Sequence, residues 1–287
     1  MRDFSHSHEW LSINTATLRK QWSLTRIIDE CARRGIRAIS PWRDQVAAVG
    51  LGKVAAQLRA HGMQLSGYCR GGFFPAPDTA GLKAALEDNI KAMDEAKTLN
   101  APCLVLVVGS FPGALNGTPA HRDLARVRNE VRDGIAASLE YARSIDLPLS
   151  SEPRHPMQAA ERACVNTLEH ALDLCDALDP AQSGALGVAV DLYHVWWDPK
   201  LRQQIARAGA KRLHAFHVCD WLTPTRDLLN DRGMMGDGVI DIAQARGWVE
   251  AAGFAGFAEV EIFSDHWWSQ PGEVVLETCV ARHRSVV

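Results

Sequence analysis

The feature that most constrains this chain is an alternation of short strand-like runs and longer helical stretches, repeated from one end to the other. Apolar and β-branched runs end near Asn14 (EWLSIN), Ser40 (IRAIS), Cys69 (LSGYC), Gly109 (CLVLVVG), Glu152 (LPLSSE), Asp191 (GVAVD), His217 (LHAFH) and Glu261 (AEVEIF). Between them lie segments with apolar residues at helical spacing, such as WSLTRIIDECARR, LKAALEDNIKAMDEAKTL and VRDGIAASLEYARS. Gly35, Gly62, Gly187 and Gly253 stand just ahead of the following strands, where a helix C-terminus favours glycine.

Strands that alternate with helices pair in parallel, each helix serving as the crossover. Eight such units in 287 residues match a (β/α)8 barrel, which typically takes about 250 residues. No Pro/Ser/Gly-rich or low-complexity block divides them. The expected fold class is therefore α/β, a TIM barrel forming a single domain over residues 1–287. An open doubly wound sheet commonly carries a glycine-rich first turn, and the first turn here, SINTATLRKQW, contains no glycine.

Composition narrows the partners. With 31 Lys+Arg against 34 Asp+Glu, the formal charge is −3, so no cation excess exists to neutralise nucleic acid or an anionic membrane. The seven cysteines are odd in number, scattered and without a CxxC pair, which reads as free thiols in a reducing compartment. The most apolar run, Pro102 to Phe111, is too short to span a bilayer, and MRDFSHSHEW has no apolar stretch of the signal-peptide kind. A cytoplasmic protein with a small-molecule substrate is expected, with no nucleic-acid or membrane partner; homo-oligomerisation is left open.

A barrel places its chemistry at the C-terminal ends of its strands. The last four units close with Glu152, Asp191, His217 and Glu261. Singly, a strand-end carboxylate can be a helix cap and a lone histidine a hydrogen-bonded core residue. Together they would converge above the barrel, and hard oxygen donors plus one nitrogen suit Mn²⁺ or Mg²⁺, with Co²⁺ or Zn²⁺ as alternatives. Without a cation the three carboxylates would repel one another. Glu259, two residues before Glu261, should face the same way as an inner-barrel partner, and His214, three before His217, should face outward as a structural residue. No GxxxxGK[ST] or GxGxxG pattern occurs, so no nucleotide cofactor is expected.

The segments SSEPRHP, VDLYHVWWDP, HAFHVCDW, MMGDGVIDI and EVEIF resemble those of the sugar phosphate isomerase/epimerase group. These are xylose isomerase-like TIM barrels that include ketose 3-epimerases, hydroxypyruvate isomerase and inosose isomerases and dehydratases. The resemblance covers essentially the whole chain. It implies that Glu152, Asp191, His217 and Glu261 bind one divalent metal and that His194, three residues after Asp191, contacts substrate. It implies an arginine downstream of the metal-binding histidine in the same role, for which Arg226 is the nearest candidate, at longer spacing than in the ketose epimerases.

The implied activity is a metal-dependent isomerase or epimerase of a sugar, keto-sugar or keto-polyol. A base removes a proton α to a carbonyl and the metal, as Lewis acid, stabilises the enediolate. Glu152 and Glu261 are the expected acid–base pair. A metal-dependent lyase, a dehydratase or eliminase, shares that first step and is the main alternative; a non-catalytic sugar-binding barrel is a lesser one. An apurinic endonuclease resembles the same pattern but needs further histidines on earlier strands, where this chain has Cys69-Arg70 and Gly109-Ser110. Further substrate-site candidates are Trp42, Arg70 and His155. Six of the nine tryptophans, Trp42, Trp196, Trp197, Trp221, Trp267 and Trp268, follow strand ends and are expected to form an aromatic rim.

Overall fold

The computed structural model describes residues 2–287. The parallel sheet comprises β1 (Leu11–Asn14), β2 (Ala38–Ser40), β3 (Gln64–Leu65), β4 (Tyr68–Gly72), β5 (Leu104–Val107), β6 (Leu149–Ser151), β7 (Leu186–Asp191) and β8 (Leu213–Val218). A short antiparallel hairpin, β9 (Asp220–Trp221) and β10 (Arg232–Gly233), follows, and β11 (Ala258–Val260) completes the sheet. The spatial order is β3-β2-β1-β11-β8-β7-β6-β5-β4. β3 and β4 are two pieces of one staves-and-hoop position: β3 pairs with β2, β4 pairs with β5, and a parallel bridge between Trp42 and Cys69 joins the two edges. The result is an eight-stranded, nearly closed parallel barrel surrounded by helices.

Side-chain alternation along each strand sorts residues between two cores. Ile13, Phe216 and Val260 belong to the large apolar layer between barrel and helices. Inside the barrel, Cys69, Cys103, Val105, Ala189 and Ala215 form a narrow plug of small side chains. Above that plug the inward positions are polar, and the catalytic candidates stand there. All seven cysteines are buried and free.

The helices form where their apolar faces meet the sheet. Leu24–Arg33 buries Leu24, Ile27, Ile28 and Cys31, and the Ser23 side chain caps its first turn by accepting from Arg26 N. Gly35, Gly62 and Gly253 carry positive φ, 72°, 62° and 96°, as helix exits require. Gly187 does not: it lies within β7, where a Cβ would sit 2.5 Å from the His214 ring. Its glycine is needed for that close packing, and Gly184, with φ of 84°, stands in the turn before the strand. Among the described residues, no helix is long and apolar enough to cross a membrane.

Candidate metal centre and active site

The barrel frame delivers each ligand directly. Glu152 and Glu261 sit one residue beyond β6 and β11, and their N–H groups still donate to the neighbouring strands, to Leu106 O (3.0 Å) and Val218 O (3.1 Å). Asp191 ends β7, and its Oδ1 caps the short helix Leu192–Val195 by accepting from Tyr193 N at 2.9 Å. Cap and ligand are thus one residue, since Oδ2 remains for the site. His217 projects inward from β8. One ligand atom from each of Glu152, Asp191, His217 and Glu261 lies within 4.8 Å of all the others, and all four side chains are buried.

Three carboxylates and an imidazole buried this closely need positive charge. His217 Nδ1 lies 3.2 Å from Glu152 and 3.8 Å from Glu261, yet neither ring nitrogen makes an aligned hydrogen bond. A buried polar atom without a partner calls for an explanation, and a divalent cation supplies one, because the donor set is hard oxygens with one nitrogen. On the far side of the ring, Nε2 lies 3.5 Å from Glu259 Oε1. A carboxylate behind the imidazole orients a metal-binding histidine and raises its basicity.

The electrostatics divide the two glutamates. Burial acts to raise the Glu152 carboxyl, but His217 and Arg154, whose Nη1 donates to Glu152 Oε2 at 2.8 Å, outweigh it and hold Glu152 below the ordinary range. Burial pushes Glu261 up to about 8 despite Arg232, with Asp191 and Glu152 adding to the rise. His217 is raised well above its ordinary value because Glu259, Glu152 and Glu261 outweigh its burial. His194 goes the other way, lowered by burial and then by Arg154 and Arg232. Its Nδ1 accepts the His155 N–H at 3.2 Å, and its Nε2 lies 3.3 Å from Arg232 Nη2 and 3.5 Å from Asp191 Oδ2.

Two residues that the sequence reading did not assign to the site hold this arrangement. Asn14, at the end of β1, donates through Nδ2 to Glu259 (2.8 Å) and Glu261 (3.1 Å), and its Oδ1 accepts from Trp42 Nε1 (2.7 Å). Arg232, on β10, donates through Nη1 to Asp191 Oδ2 (3.0 Å) and Glu261 Oε2 (3.1 Å). Its guanidinium stacks 4.4 Å from the Tyr193 ring.

Arg226 is not brought to the site. It is exposed and paired with Asp231, which accepts from its backbone N–H and its guanidinium; Arg232, six residues on, takes the inner position. Trp42, Arg70 and His194 line a cavity of about 270 Å³ at the barrel mouth, together with Arg154, Tyr193 and Arg232. His155 stands in the adjoining aromatic wall, stacked on Trp221 (4.9 Å) with Trp197 edge-on (5.8 Å). Of the six expected rim tryptophans, Trp42 alone lines this cavity. Trp196 packs on Trp221, Trp268 on Phe263 and Trp267 on His266, so these indoles mostly pack on neighbouring aromatic rings. Glu259 faces inward as expected, held also by Ser66 Oγ at 2.7 Å.

Fold and site define a class: a (β/α)8 barrel whose C-terminal mouth holds a buried carboxylate–imidazole cluster able to bind one divalent cation. More particularly, the chain belongs to the xylose isomerase-like TIM barrel family, whose model matches residues 28–279. Protein SMc04130 of Sinorhizobium meliloti 1021 is 54% identical, covering 98% of this chain and 99% of its own, with a TM-score of 0.92. The IOLI protein, solved with a bound zinc atom, is 20% identical over 96% of this chain and 97% of its own, with a TM-score of 0.81. D-psicose 3-epimerase of Clostridium cellulolyticum H10, solved with D-tagatose, is 13% identical over 94% and 97%, with a TM-score of 0.71. At these lower identities the likeness is one of fold. No curated protein sequence matches the chain.

Proposed function

We propose that this protein is a divalent-metal-dependent isomerase or epimerase of a sugar, keto-sugar or keto-polyol, acting by proton removal from the carbon beside a carbonyl. The observation that carries this reading is the pair Glu152 and Glu261, which enter one four-residue cluster from β6 and β11, the two ends of the arc β6-β7-β8-β11. One carboxylate can take a proton from one face of a substrate while the other returns a proton to the opposite face, which gives epimerisation. Return to the neighbouring carbon gives aldose–ketose isomerisation.

A divalent ion held by Glu152, Asp191, His217 and Glu261, with Mn²⁺ our first choice, would polarise the carbonyl and stabilise the charge left by proton removal. Asn14, Glu259 and Arg232 keep the ligand side chains oriented. His194 offers a neutral imidazole at the cavity wall, suited to hydrogen-bond a substrate hydroxyl; dehydration or elimination, which shares the same first proton removal, is the second reading.

Incubation in D₂O with a panel of ketoses, keto-inositols and 3-keto-glycosides tests both readings through exchange at the α-carbon. Exchange with epimer or isomer formation is the expected result, and elimination products would assign a lyase. Glu152→Gln and Glu261→Gln should each lower turnover on the active substrate by about 10²–10⁴-fold, the usual weight of a positioned acid or base. Full turnover in both variants would sink the two-glutamate mechanism.

A further inference from the structure

We infer that the substrate carries an anionic group, a carboxylate or a phosphate, and that Arg70 with Arg162 is its receptor. This rests on the proposed chemistry only in that the reacting end of the substrate sits at the four-residue cluster. The cavity above the cluster is lined by five arginines, Arg19, Arg70, Arg154, Arg162 and Arg232, and by no carboxylate. Three of them are already paired: Arg19 with Asp44, Arg154 with Glu152, and Arg232 with Asp191 and Glu261. Among the described residues, neither Arg70 nor Arg162 has an acidic partner within 4.0 Å, and neither donates a side-chain hydrogen bond to the protein.

Arg70 is held by aromatic faces instead, 4.2 Å from Phe73 and 5.4 Å from Trp42. Stacking fixes the plane of a guanidinium and leaves its edge donors free, the geometry that receives carboxylate or phosphate oxygens in pairs. Burial first, then Arg154, lowers its pKa to about 10 against a smaller opposing pull from Glu152, which leaves it charged at neutral pH.

Charge balance over the whole mouth points the same way. The carboxylates of Glu152, Asp191, Glu259 and Glu261 are matched by Arg70, Arg154, Arg162 and Arg232. A bound divalent cation then leaves a surplus of two positive charges. A neutral sugar does not relieve that surplus, whereas a substrate anion does. No glycine-rich phosphate loop is present, so recognition falls to the side chains.

The test compares three ligands on one ketose skeleton, D-fructose, D-fructuronate and D-fructose 6-phosphate, by calorimetry on the Mn²⁺-loaded full chain. Inorganic phosphate and acetate serve as fragment probes. The expected result is that one anion binds at least about tenfold tighter than D-fructose at low salt, consistent with a charge-assisted contact. Which anion it is separates the carboxylate from the phosphate. Raising NaCl to about 0.5 M should shrink the preference, and Arg70→Gln should reduce it to about threefold or less. The ratio of anion to neutral affinity is insensitive to a general loss of binding. Arg162→Gln provides a second variant should Arg70→Gln fail to fold.

Equal affinity for neutral and anionic ligands, a preference that survives both substitutions, or no response to any anionic probe overturns the inference. Failure of the proposed chemistry looks different: anion preference would persist while no α-carbon exchange occurs in D₂O.

Discussion

Replacing Arg232 with methionine gives the sharpest test of how the cluster is balanced. Arg232 is only 3% exposed and is the one guanidinium bridging two ligands, at 3.0 Å from Asp191 and 3.1 Å from Glu261. Removing one partner of a buried charge network typically costs about 3–5 kcal/mol, because the remaining charges stay buried and unpaired. Here the loss should fall near the lower end. Glu261, raised to about 8, already holds a proton at pH 7 in the metal-free protein, so the substitution leaves Asp191 as the uncompensated anion. Methionine also retains part of the packing against Tyr193. At about 2 °C per kcal/mol for a chain of this size, the metal-free variant should melt about 6 °C below wild type.

Bound metal should change that gap. A divalent ion supplies positive charge to the same carboxylates, so saturating Mn²⁺ should raise the melting temperature of Arg232→Met more than that of wild type and at least halve the difference. Scanning fluorimetry with EDTA and then with Mn²⁺ measures all four values. A gap that is the same with and without metal would refute the electrostatic account and leave lost packing on Tyr193 as the cause. A variant as stable as wild type in EDTA would refute the bridging role altogether.

Metal binding should be strongly pH-dependent. Without metal, Glu261 and His217 are both raised and hold protons at pH 7 that the ion must displace, whereas Glu152 is lowered and releases none. Affinity should therefore fall as pH drops from about 8 to 6, by about tenfold or more per unit. Calorimetry in two buffers of different ionisation enthalpy should detect the released protons; an affinity flat in pH contradicts the assignment. Arg226→Ala should leave melting temperature, metal affinity and turnover at wild-type values, because an exposed ion pair contributes little. A large loss of substrate affinity would return Arg226 to the site.

The parts of the site that were legible in the sequence are those fixed by the barrel frame. Asp191 and His217 lie in strands, and Glu152 and Glu261 lie one residue past them, so locating the strands locates the ligands. Arg232 was not legible because it reaches the cluster on a hairpin whose register is set by tertiary pairing, Arg232 opposite Trp221. In the run RDLLNDR both arginines are equally good candidates by residue type. Asp231 decides between them by turning Arg226 outward.

Asn14 escaped notice for a different reason. A short polar residue at a strand end reads as a cap, and it is one, accepting from Ala16 N at 3.0 Å. Its amide nitrogen, however, binds two glutamates from β11 and the residue after it, partners 245 and 247 positions away. Gly187 misled through its neighbours, since glycine ahead of a strand and glycine inside one look alike until the ring packed against it is seen.

The split of one barrel strand into β3 and β4 has a mechanical consequence. From β6 through β7, β8, β11, β1 and β2 the ladder is continuous, and every metal-ligand candidate stands on that arc. Between β2 and β4 the seam is spanned by the Trp42–Cys69 bridge and by the Ser40 Oγ–Cys69 Sγ contact at 3.8 Å, next to Arg70. Amide exchange should start at this seam while the arc stays protected. A barrel built this way can breathe on the side where a substrate's far end is gripped without loosening the side where an ion is held. Grip on the substrate's far end and retention of the ion are then set by different parts of the same frame.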